Sequence, residues 1–221
     1  MMPLAELTLM QQLSIWALPV IFAITLHEAA HGWAAEKLGD KTARMLGRVT
    51  LNPLKHIDPV GTILVPGFLL FLGGFIFGWA KAVPVTTKNL RNPRRDMAWV
   101  AIAGPAANLI MAVFWAILLK IGFMLVASSP EIGQFMIYSG LAGVSINIIL
   151  MVLNLLPIPP LDGSRIISAF LPPALAWQYN RLEPYGLFIL LGLMIIGVLS
   201  MLLSGPYMLV QQLLFRLVGV I

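Results

Sequence analysis

A helix that crosses a lipid bilayer needs about 20 consecutive, largely apolar residues, and this chain is assembled mostly from such runs. Stretches 7–35, 59–80, 97–119, 132–156 and 185–203 carry little charge, and polar or basic connections part them. The last stretch, 207–220, reads as a short span or an interfacial amphipathic helix, with Ser204-Gly205-Pro206 as a turn before it. Composition agrees: 59% of the 221 residues are hydrophobic and 10% charged, where soluble domains average about 45–50% and roughly 25%. A soluble globular domain and a disordered chain are thereby excluded. With no cysteine there is no disulfide, no thiolate ligand and no thiol nucleophile. The net charge of +5 fits Lys and Arg gathered on cytoplasmic loops rather than nucleic acid. The expected fold is an all-α polytopic membrane protein forming one domain over 1–221. It has about five to six membrane helices, a re-entrant hairpin and short β-strands.

The hairpin follows from charge. The connection before 59–80 holds Lys37, Lys41, Arg44, Arg48 and Lys55; the one after it holds Lys81, Lys88, Arg91, Arg94 and Arg95. Both belong in the cytoplasm under the positive-inside rule, so 59–80 crosses the bilayer an even number of times or not at all. Pro66, Gly67, Gly73, Gly74 and Gly78 suit a re-entrant turn better than a straight span. This places the N-terminus outside; the compact form of the chain points to a multi-pass protein of a prokaryotic cell membrane. Segments 47–51 and 82–86 have the composition of short strands on which an extended peptide could align.

The reactive chemistry starts inside the first apolar run, at His27-Glu28-Ala29-Ala30-His31. Histidines four apart share a helix face and can converge on one zinc ion, with Glu28 near enough to act on its water. Ionisable groups in an apolar span are costly and point to a role. A catalytic zinc site requires a third protein ligand. Asp162, in Asn154-Leu-Leu-Pro-Ile-Pro-Pro-Leu-Asp162-Gly163, follows another apolar run and reads either as that ligand or as a helix cap. His56 reads as a polar residue at the membrane edge, or more sharply as a metal or substrate contact with Asp58.

HEAAH in an early helix, Gly104-Pro105-Ala106-Ala107-Asn108 in a later one and NLLPIPPLDG closing another together resemble the site-two protease family. These are membrane-embedded zinc metalloproteases, and the likeness covers roughly residues 20–170. It implies that His27, His31 and Asp162 bind one Zn²⁺, that Glu28 is the catalytic acid/base and that Asn154 lies beside the reacting centre. The chain departs from larger members in having no insertion long enough for a PDZ domain and no nucleotide-binding domain, and so looks like a minimal form. The substrates implied are transmembrane proteins, cleaved within the bilayer towards the cytoplasmic side. Asn108 and Asn154 read as oxyanion donors or as interhelical hydrogen-bonding groups. A competing reading is a metal-ion or proton-coupled transporter, since intramembrane His, Glu and Asp also build ion pathways.

Overall fold

A computed structural model describes residues 7–64, 78 and 80–220. Four helices among them are long and apolar enough to cross a membrane: α1 (Leu9–Lys37), α3 (Pro93–Leu125), α4 (Pro130–Asn154) and α8 (Val198–Val218). Shorter helices connect them: α2 (Thr42–Met45), α5 (Asp162–Phe170), α6 (Pro173–Asn180) and α7 (Gly186–Ile195). Helix α1 starts at a capping box, in which the Thr8 hydroxyl accepts from Gln11 N–H and the Gln11 side chain accepts from Thr8 N–H.

Helices α1, α3 and α4 make the central bundle. Lipid tails are as apolar as leucine, so nothing hydrophobic drives these helices together, and small residues set how closely they pack. Gly140 lies on the backbone of Leu119, Gly143 on the Trp115 ring, and Gly122 faces Gly133 and Ile137. A Cβ at any of these glycines would collide with the facing helix. The same contacts show α4 antiparallel to α3. Helix α1 is antiparallel to α3 as well, with Ala23 beside Asn108 and His31 beside Val100. Helices α1 and α4 therefore end on one side of the bundle, where Asp162 opens α5.

The connections converge on that side too. Arg91 N–H donates to Leu38 O at 3.1 Å, and Lys81 N–H donates to His56 O at 2.9 Å. Residues 57–80 thus leave and return at one hydrogen-bonded neck. A π-helical turn, Pro59–Leu64, opens this excursion; most of the hairpin expected over 59–80 lies outside the described residues.

Two expectations about secondary structure are corrected. Neither 47–51 nor 82–86 forms a strand, and no strand occurs among the described residues. The backbone that a strand would pair with a neighbour is taken up by side chains. Val83 N–H donates to Glu28, Thr86 N–H donates to Asp40, and the Arg48 guanidinium donates to Lys81 O. The chain also bends at Gly197 (φ 76°) rather than at Ser204-Gly205-Pro206. Glycine reaches the left-handed conformation that stops a helix, whereas α8 runs through Pro206, a residue that membrane helices tolerate.

Asp40, fully buried, ties the connections together. Its carboxylate accepts from Thr42 N–H and Oγ, Asn89 Nδ2 and Thr86 N–H. Burial alone would raise its pKa, but these donors outweigh it and hold the carboxyl below its usual range. A depressed folded pKa contributes stability above the ordinary carboxylate range and loses it as pH falls through the folded value. The melting temperature in detergent should therefore drop on acidification below about pH 4. Asp40→Ala should cost about 1–3 kcal/mol at neutral pH and flatten that acid limb, as a thermal melt series across pH would register.

Candidate metal centre

On α3, Val100, Gly104 and Asn108 lie four residues apart and so share one face, which is turned to the two histidines of α1. Gly104 leaves room for them: a Cβ there would land on the His31 ring and come within 2.6 Å of His27 Cε1. One turn away, His31 Nδ1 donates to Val100 O at 2.7 Å. One turn the other way, His27 Nδ1 meets Asn108 Oδ1 at 2.6 Å. Each neutral ring, protonated at Nδ1, then presents an Nε2 lone pair. The two Nε2 atoms lie 3.0 Å apart.

Asp162 closes the triangle, its Oδ2 lying 3.3 Å from each Nε2. The proline-rich loop after α4 delivers it, and Gly163 seats the turn by packing directly on the carbonyls of Leu155 and Leu156. The three side chains are 9%, 12% and 14% exposed. Asp162 Oδ2 is buried without a hydrogen-bond donor. Three acceptor atoms gathered without a proton between them repel one another, and a cation removes that repulsion. Ligands about 2.0–2.2 Å from a tetrahedral zinc ion lie roughly 3.3–3.6 Å from each other, close to the 3.0 and 3.3 Å found here. The donor set and spacing fit zinc.

Glu28 lies outside the triangle, next to His27 along α1, and its Oε2 accepts from Val83 N–H at 2.8 Å. Asn108 is placed behind His27: its Nδ2 donates to both Ala23 O (3.1 Å) and Asn147 Oδ1 (3.0 Å). Both amide protons are committed, so it has none to offer an oxyanion. Asn154, the last residue of α4, donates to Leu150 O within its own helix. His56 is buried, with Nε2 donating to Thr50 O, while Asp58 Oδ1 accepts from Val60 and Gly61 N–H; the pair reads as structural. Asn147, Val83 and Arg48 were missed from sequence. Of these only Asn147 carried a signal, as an amide in the middle of an apolar run.

If Gly104 is what admits the imidazoles, Gly104→Ala should displace α3 or the rings. Zinc bound per chain, measured by atomic absorption, is expected to fall well below one while the helical circular dichroism persists.

The model of peptidase family M50 matches residues 15–137. The chain is 41% identical over 181 residues to "Putative zinc metalloprotease YwhC" of Bacillus subtilis, covering 80% of this chain and 78% of that protein. It is 33% identical over 181 residues to "Putative zinc metalloprotease Rip2" of Mycolicibacterium smegmatis, covering 81% and 66%. With "Regulator of sigma E protease" of Haemophilus influenzae it shares 32% over 118 residues, covering 48% and 26%. No solved structure gives a significant match. Family model, relatives and the His–His–Asp triangle between apolar helices agree, and the chain belongs to peptidase family M50, the site-two type of membrane-embedded zinc metalloprotease.

Proposed function

We propose that His27 Nε2, His31 Nε2 and Asp162 Oδ2 hold the zinc ion of this intramembrane protease and that Glu28 moves the protons. The observation that carries this reading is the triangle of three potential ligand atoms, with Asp162 Oδ2 buried and lacking any hydrogen-bond partner. When bound, zinc supplies Lewis acidity to the scissile carbonyl and the attacking water. Glu28 accepts a proton from that water as its oxygen bonds to the carbonyl carbon. It returns the proton to the amide nitrogen as the carbon–nitrogen bond breaks. Val83 N–H steadies the carboxylate for both transfers. Asn154 has one amide proton beyond its bond to Leu150 O, and that proton is available to a developing oxyanion.

The substrates are transmembrane segments of other proteins, entering from the bilayer in which α1, α3, α4 and α8 lie. A re-entrant hairpin over 59–80 accords with the neck at His56 and Lys81. The basic connections on either side support a neck and metal centre that face the cytoplasm. Family membership does not favour the transporter reading.

Glu28→Gln should keep about one zinc per chain and lose cleavage of a transmembrane peptide by roughly 10²–10⁴-fold, the usual worth of a general acid–base group. Unchanged turnover, or loss of zinc along with activity, would remove Glu28 from that role. Topology has its own check: reporters joined after Thr50 and after Asn89 should both register as cytoplasmic, and opposite sides would rule out the hairpin.

A further inference from the structure

We infer that Asn147, in the middle of α4 and outside all three sequence motifs, is a positioning residue for the metal centre that acts through Asn108 to fix the tautomer of His27. The inference rests on the proposed reading of His27 as a zinc ligand. Asn147 and Asn108 are both fully buried, in helices where an unsatisfied amide is expensive.

Their hydrogen bonds form a line with a single direction. Asn147 Nδ2 donates to Gly143 O at 2.8 Å. A backbone carbonyl only accepts, so this contact turns the NH₂ of Asn147 to its own helix and its Oδ1 towards α3. Asn108 then faces two acceptors, Asn147 Oδ1 at 3.0 Å and Ala23 O at 3.1 Å. Both consume its NH₂, which leaves Oδ1 as the edge that meets His27 Nδ1 at 2.6 Å. His27 therefore carries its proton on Nδ1, and Nε2 keeps a lone pair directed at His31 and Asp162. Without the acceptor from Asn147, the amide of Asn108 loses half of what orients it. Turned over, it would present an N–H to His27 Nδ1, move the proton to Nε2 and occupy the ligand position. The remote end of the line thus bears on metal affinity through hydrogen-bond polarity rather than through packing alone.

The test compares Asn147→Leu, which removes the acceptor, with Asn147→Asp. A buried neutral carboxyl can donate to Gly143 O and accept from Asn108, the same polarity as the native amide. Zinc affinity of the purified full chain in detergent, measured by chelator competition, should fall about 10–100-fold for Asn147→Leu and stay near the parent value for Asn147→Asp. In ¹⁵N-histidine spectra of zinc-free protein, the His27 signal should shift away from the Nδ1–H form in the leucine variant alone. Asn147→Ala adds no bulk and carries the same expectation, should the leucine variant fail to fold. Parent-like zinc affinity in Asn147→Ala or Asn147→Leu would overturn the inference, as would an equal loss in Asn147→Asp, which would assign the effect to packing. His27→Ala keeps the two readings apart. If it binds zinc like the parent, the proposed ligand set fails; if it loses zinc while Asn147→Leu does not, only the role of Asn147 fails.

Discussion

Burying two imidazoles and a carboxylate among apolar helices is tolerable only if every lone pair and every N–H has somewhere to go. That accounting shapes the centre of this protein. Each Nδ1 is satisfied by α3, through Val100 O for one ring and Asn108 for the other. Satisfying those edges forces the opposite edges to face each other and Asp162 as bare acceptors. Three such atoms at that spacing fit a bound cation. The fit to a metal thus follows from how the second layer of hydrogen bonds is filled.

Close helix approach makes that layer possible. Without a side chain at Gly104, α3 comes near enough to α1 for Val100 and Asn108 to reach the rings. The glycines on the α3–α4 contact do the same for Asn147, bringing it to Asn108. The reach of a side-chain hydrogen bond is fixed at about 3 Å, so small residues at the crossings decide which polar groups can meet. Packing and chemistry in this bundle are one problem.

A different economy governs the connections. Segment 81–86 has no strand partner among the described residues; beyond the bond from Lys81 N–H to His56 O, the side chains of Arg48, Glu28 and Asp40 bond to its backbone. One of these is Glu28 itself, so the neck that closes residues 57–80 is joined through Lys81 and Val83 to the carboxylate assigned to proton transfer. Arg48 and Asp40 hold the same stretch from the other connection. Both are buried, and their hydrogen bonds stand where a sheet partner would.

Much could be read directly from residue order. Apolar runs of bilayer length gave the helical class, and HEAAH, GPAAN and the aspartate after the prolines marked the groups that the fold gathers. Such features are legible because they depend on spacing within one helix or on lipid excluding charge, both local properties. The ends of the last helices were not, because Gly197 and Pro206 are each compatible with a break and only surrounding contacts choose between them. The strands failed for a related reason: β-prone composition cannot reveal that Glu28, Asp40 and Arg48, distant in the chain, will claim the backbone first. The orientation of Asn108 and the existence of its partner Asn147 belong to the folded bundle alone. An amide points according to which carbonyls stand around it, and here those carbonyls come from two other helices, α1 and α4.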